Sequence, residues 1–272
     1  MTTITAISDS QKLKRFEQKY SLEKQKIEYP KIISKFTSSS YGAKKVFRLG
    51  IINCSWLINF SNFFKLNYDT IKKIVDIKND FHLVHKTLSI TKIPNCLRNV
   101  NKSYNDYLKK EVDNTRKRDK LAQKLIKAFH EGTVIVQLGQ LYCLYTFGAF
   151  SNKILTFSTK FFLFISSGFK LKMNTEDYLK HREIQKIAFD KKVDSRLKTI
   201  LYEIKNLDLI KLIKSITSIV IGIFFLLEFI FAIVIVSPII ALILSTISVG
   251  FSVWSHLYKG SMSYQEIKNH NS

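Results

Sequence analysis

Lys and Arg are absent between Lys214 and Lys259, and Glu228 is the one acidic residue in that segment. A helix rises about 1.5 Å per residue, so this run of roughly forty residues gives about 60 Å of helix, twice the ~30 Å hydrocarbon core of a bilayer. Lipid cannot satisfy backbone polar groups, and the run lacks the alternation of a barrel strand. It therefore predicts helices that span a membrane.

Ser237 and Pro238 divide this run near its middle. Ser is a favoured N-cap and Pro a favoured first helical residue, so we predict a C-terminal transmembrane hairpin over 215–258. We expect Glu228, Ser237, Pro238 and Trp254 to be anchoring positions. An acid inside a membrane is costly and is a functional candidate. Alternatively, Glu228 is protonated or faces the headgroups of a shallow helix.

The chain carries a formal charge of +22. A basic chain with spanning segments follows the rule that cytoplasmic flanks collect Lys and Arg, and anionic lipid attracts those side chains. The basic loops 101–131 and 170–214 and the tail after Lys259 then lie in the cytosol, as do both termini. No nucleic-acid-binding motif is present, so the expected partner is an anionic phospholipid bilayer and not nucleic acid.

Apolar residues recur at helical spacing over about 77–104, opposite a face rich in Lys, Arg and His. The pattern breaks near Pro94 and then continues to Tyr104. A basic amphipathic helix of this kind can lie in a bilayer interface with its apolar face down. The alternative is a helix of a soluble domain, packed against its neighbours. The membrane-binding residues that this segment predicts are Phe81, Val84, Lys86, Leu88, Lys92, Ile93, Leu97, Arg98, Val100 and Lys102.

Two further stretches are apolar. A helix is expected from Tyr41, but its charge-free part, 49–64, is shorter than a span requires, which favours a buried or interfacial helix. The charge-free stretch 132–152 is long enough to cross a bilayer, and 154–169 is apolar apart from Lys160. We expect at least one membrane-embedded helix here, the alternative being a helical pair buried against other helices.

These changes in charge and hydropathy predict an all-α fold, an integral membrane helical protein with amphipathic interfacial helices and a C-terminal hydrophobic helical hairpin. The predicted parts are a polar N-terminal arm (1–37), a cytosolic or interfacial helical region (38–131), central membrane-associated helices (132–169), a charged amphipathic helix (170–214), the hairpin (215–258) and a cytosolic tail (259–272). Residues 1 to about 30 of the arm are expected to be mobile or in part helical.

Motifs for catalysis or cofactor binding are not found in the sequence, so we expect no enzyme, no cofactor and no metal. His82 and His85 could share a helix face, but neither a carboxylate nor a Cys accompanies them at metal-ligand spacing. Cys54, Cys96 and Cys143 are isolated, which favours free thiols over a disulfide framework.

The order of segments resembles the peroxisomal biogenesis factor 11 family, whose members proliferate peroxisomal membranes. The likeness lies in SSSYGAKKVFRLGIINCSWLINF (38–60), FHLVHKTLSITKIPNCLRNV (81–100), the central region 121–150, and the charged helix 196–216 followed by the apolar helix 236–257. The amphipathic segment has fewer Arg and Leu than is usual in that family, and residues 222–235 lengthen the C-terminal run.

The resemblance implies a protein of the peroxisomal membrane that elongates the organelle and promotes its fission through insertion of the amphipathic helix and self-association as a homo-oligomer. It also implies contact with the organelle fission machinery. Two alternatives stay open: a membrane channel or transporter for small metabolites, and a reticulon-like hairpin protein that shapes the endoplasmic reticulum.

Overall fold

Helix starts follow the local capping signals. In a computed structural model, the Ser39 hydroxyl accepts the backbone N–H of Gly42 at 3.0 Å, and the first long helix begins at Ser40. The last helix begins at Pro238, with Ser237 as its N-cap. The division of the apolar run at this Ser-Pro pair is confirmed at the start of that helix.

The structure describes residues 8–20, 22–23, 28–109, 114–191, 193–231 and 237–266. Their elements are α1 (Asp9–Lys19), β1 (Leu22–Glu23), α2 (Tyr29–Thr37), α3 (Ser40–Asn59), α4 (Tyr68–Thr87), a 3₁₀ turn (Ile90–Lys92), α5 (Ile93–Leu108), α6 (Asn114–Leu141), α7 (Ala149–Asp190), α8 (Ser195–Phe231), α9 (Pro238–Ser261) and β2 (Tyr264–Gln265).

Three helices, α7, α8 and α9, are long and apolar enough to cross a membrane. Helices make up the described residues apart from turns and the two-residue antiparallel pair of β1 and β2. The predicted all-α membrane architecture is therefore confirmed.

α7 and α8 form an antiparallel hairpin in which each helix has an apolar half and a charged half. Phe157 packs against Phe229 in the apolar part, with ring centroids 4.7 Å apart, whereas the Asn174 amide donates to Ser215 at 2.6 Å further along. The prediction of one charged helix over 170–214 is wrong. This segment is the end of α7, a turn and the start of α8.

The charge-free stretch 132–152 is not a single helix either. α6 ends at Leu141, and Cys143 follows with a φ of 55°, a left-handed conformation that a continuing helix cannot accommodate. α7 starts only at Ala149. The membrane-length helix of the central region is therefore the apolar half of α7.

The polar N-terminal arm (1–37), expected to be mobile over residues 1 to about 30, contains two packed helices, α1 and α2. Leu13 and Phe16 of α1 are buried in a core with Ile200 and Leu201 of α8, because α1 presents both side chains on one face of the helix. Strand β1 pairs with β2, so Glu23 lies opposite Tyr264. The described segments nearest the two termini therefore lie together. Residues 1–7 and the tail beyond 266 lie outside the described part.

Candidate membrane interface

The apolar halves of α7 and α8, with α9, form the candidate membrane region. Gly222 lies so close to Phe164 that an added Cβ would be 2.8 Å from the ring, so the two helices pack tightly here. Charge returns at Lys170 on α7, at Lys214 on α8 and at Lys259 on α9. These lysines mark the level at which the helices leave the apolar region.

The amphipathic segment predicted at about 77–104, with a break near Pro94, is two helices joined by a 3₁₀ turn. α4 ends at Thr87, a 3₁₀ turn follows, and α5 begins with Pro94 in its first turn. Ser89 in the break is fully buried, and its hydroxyl accepts a 2.5 Å hydrogen bond from Lys44. The break therefore fastens this segment to α3.

Most of the predicted apolar face points into the protein. Phe81 packs against Phe47 of α3 with ring centroids 5.7 Å apart and lies against Gly50. Leu97 is the exception, with 59% of its surface exposed. The predicted apolar residues that are half-buried are Phe81, Val84, Leu88, Ile93 and Val100.

An outward apolar stripe nevertheless runs along α5. About half or more of the surface of Leu97, Tyr104 and Leu108 is exposed. These three residues recur on one side of the helix, and Ile90 of the 3₁₀ turn precedes them. We call these four residues the α5 stripe. The apolar pattern of the sequence includes Leu97 and Tyr104 but not Ile90 or Leu108, although helical spacing from Leu97 also points to Leu108.

Basic residues of the predicted site separate into two groups. Arg98 and Lys102 are exposed beside the α5 stripe. Lys86 and Lys92 are half-buried. Burial, followed by repulsion from Lys44, lowers the pKa of Lys92 to about 8.

Two turns also expose aromatic side chains. Phe63, in the turn between α3 and α4, is 79% exposed, and its ring contacts the neighbouring Phe64. Phe147 and Phe150 are exposed where α6 gives way to α7. Aromatic residues favour the interfacial zone of a bilayer, so both turns extend the apolar surface. Sequence reasoning missed them, although clustered aromatics were the available signal.

A recess beside Glu228 is also lined by a basic residue. Glu228 lines this open recess of about 430 Å³ with Lys153 of α7, together with Asn152, Thr156 and Phe229. The sequence offered no intramembrane partner for Glu228, because Lys153 is distant along the chain. The remaining anchoring position, Trp254, is 53% exposed on α9.

Comparison with models of protein families, with curated proteins and with solved structures found no match to this chain.

Proposed function

We propose that this protein bends and elongates the peroxisomal membrane, promoting proliferation and fission of the organelle. The observation that carries the proposal is the α5 stripe, an exposed apolar row with Arg98 and Lys102 beside it. The organelle follows from the resemblance of segments such as 38–60 and 81–100 to the peroxisomal biogenesis factor 11 family.

The mechanism is one-sided insertion. The α5 stripe enters the boundary between headgroups and acyl chains of the cytosolic leaflet, while the adjacent basic residues hold anionic phosphates. Added area in one leaflet curves the bilayer. The helices α7, α8 and α9 supply anchorage that a short interfacial helix alone does not provide.

Self-association would concentrate this curvature into a tubule. A homo-oligomer and contact with the organelle fission machinery are therefore parts of the proposal, and their support is the family resemblance.

Tubulation of anionic liposomes by the full-length protein tests the mechanism. The variant Leu97→Asp/Leu108→Asp places charge on the α5 stripe and should abolish tubules while the protein stays inserted. The matched control is Leu179→Asp/Leu209→Asp, which changes two exposed leucines of α7 and α8. Equal tubulation by both variants would remove α5 from the mechanism.

Localisation of a tagged full-length copy tests the organelle. Peroxisomal labelling, with fewer and larger peroxisomes when the protein is lost, is expected. Labelling of the endoplasmic reticulum would favour the reticulon-like alternative instead.

The recess at Glu228 favours a second candidate function, transport of a small polar metabolite. A carboxylate and an ammonium group beside spanning helices are costly unless a substrate or water uses them. Flux of small organic acids into proteoliposomes that falls with Glu228→Leu, but not with Ser245→Leu on α9, would support it. Absence of flux would rule it out.

A further inference from the structure

Basic side chains from five elements converge inside the bundle. Lys44, Lys45 and Arg48 come from α3, Lys92 from the 3₁₀ turn, Lys124 and Lys127 from α6, Lys170 from α7 and Lys214 from α8. We call them the internal basic cluster. The stretches of α7 and α8 that carry Lys170 and Lys214 are in contact, since the Asn174 amide donates to Ser215 at 2.6 Å. The charges of Lys92, Lys170 and Lys214 act on Lys45, and those of Lys124 and Lys127 act on Lys170.

Few negative charges balance this cluster. Glu131 of α6 is buried and lies 3.5 Å from the ammonium group of Lys44, and its Oε2 atom has no hydrogen-bond partner. Within the described ranges, no ion pair to a carboxylate forms at Lys45, Lys170 or Lys214. The folded protein therefore retains a large local excess of positive charge. Like charges held together away from bulk water repel one another strongly.

The arrangement is held in place and open to solvent. Lys44 is fixed by its hydrogen bond to the buried Ser89, and Lys45 and Lys92 lie over the Tyr41 ring at 5.7 and 5.8 Å. Lys170 lies in a crowded part of the bundle, but part of its side chain contacts solvent, which leaves a route from the solvent to the cluster. Lys supplies a mobile point charge and Arg a planar fork, a combination that suits phosphate oxygens.

We infer that the internal basic cluster is a binding site for a compound with several phosphate groups, either a phosphorylated lipid headgroup or a soluble polyphosphate. The cluster lies where α7 and α8 change from apolar to charged, at headgroup depth, so a headgroup and a soluble anion can both reach it. The inference goes beyond the proposed membrane bending, because none of the cluster's cations belongs to the α5 stripe.

Depressed lysine pKa values fit this site. Burial, followed by the charges of Lys127 and Lys214, lowers the pKa of Lys170 to about 8. A bound polyanion would offset the repulsion between the lysines, raise their pKa values and favour their protonated form.

Calorimetry with the full-length protein in phosphatidylcholine nanodiscs tests the site, with inositol hexakisphosphate as the soluble probe. The variant Lys170→Gln/Lys214→Gln should weaken binding by about tenfold or more, because it removes two charge-assisted contacts. The control Lys180→Gln/Lys198→Gln removes the same charge from exposed positions of the same helices and should weaken binding by less than about twofold.

The source of the phosphate is decided by a second arm, in which the nanodiscs contain phosphatidylinositol bisphosphate and the unfolding temperature is measured. A rise that is lost in Lys170→Gln/Lys214→Gln identifies a headgroup, whereas calorimetric binding without such a rise identifies a soluble anion. Binding in neither arm, or equal weakening in the two double variants, overturns the inference. Flat nanodiscs report binding without membrane bending, so this outcome is independent of the proposed function.

The test does not depend on one double variant. Removing two mutually repelling charges should preserve the fold, which circular dichroism checks. The single variant Lys170→Gln changes an exposed side chain and should weaken binding in the same direction.

Discussion

The Nδ1–H of His181 donates a 2.5 Å hydrogen bond to Asp208, a carboxylate with 2% exposure where α7 meets α8. Lys211 donates to the other carboxylate oxygen at 3.3 Å. The rings of Phe16 and Tyr20 lie against the imidazole, at centroid distances of 5.5 and 6.2 Å. The pair of His181 and Asp208 therefore joins the charged halves of α7 and α8 to α1.

Asp208→Asn should destabilise the protein by about 2 kcal/mol, because two hydrogen bonds to a charged acceptor are weakened in a buried site. Unfolding by sodium dodecyl sulfate in mild detergent, followed by circular dichroism, measures the change. Asp190→Asn alters an exposed carboxylate of α7 and should change stability by less than about 0.5 kcal/mol. Similar losses in both variants would contradict a special role for Asp208.

Gly222→Val should force α7 and α8 apart. A Cβ at Gly222 would meet Phe164 at 2.8 Å, and overpacking of this kind costs about 1–3 kcal/mol. Gly250→Val is the control, because an added Cβ at Gly250 on α9 has nothing within 4 Å. The same unfolding titration should show a loss for the first variant alone, and a loss of equal size in both would refute close packing at Gly222.

The chain's two tryptophans should differ in contact with lipid. The indole N–H of Trp56 donates to the Thr246 hydroxyl at 3.1 Å between α3 and α9, whereas Trp254 is more than half exposed. In the single-tryptophan variants Trp56→Phe and Trp254→Phe, brominated lipid should quench Trp254 more strongly than Trp56. The reverse order would show that the exposed side of α9 does not face the bilayer.

Lys92 and Lys170 should lose their protons near pH 8, well below an ordinary lysine at 10.5. Between these values the unfolded chain binds more protons than the folded protein, so stability should rise with pH across the window. Below about pH 8 both lysines are charged in the folded protein, and the loss of stability that these charges cause is fully present. Unfolding titrations at several pH values measure this slope, which Lys92→Met/Lys170→Met should flatten. The charged groups that act on these two lysines are Lys44, Lys45, Lys124, Lys127, Glu131 and Lys214.

Signals local to the sequence predicted much of the fold. The apolar run, its division at Ser237 and Pro238, and the start of α3 after Ser39 depend on hydropathy and on capping groups within one turn. These are short-range effects, so residue order alone conveys them. For residues 49–64 the same reasoning predicts a buried or interfacial helix, and α3 ends within that range, at Asn59.

Contacts between distant segments were beyond this reasoning. The attachment of the break after α4 to α3 depends on Lys44 reaching the buried Ser89, and the packing of the N-terminal arm depends on Phe16 reaching α8. The recess that Glu228 and Lys153 both line likewise lies between helical segments that are far apart in sequence. Charge patterning predicts that the basic residues are solvent-exposed and flank the apolar segments. It does not reveal which lysines lie close to one another in the fold. Tertiary packing determined each of these features.

The continuity of α7 across Lys170 has a mechanical consequence. No turn separates its apolar half from its charged half, and α8 has the same property, so neither half can tilt without the other. The charged half of about twenty residues is a rod of roughly 30 Å, and a tilt of about 10° in a thinner bilayer would swing its tip by about 5 Å. A change in bilayer thickness would thus displace the charged end of the α7–α8 hairpin.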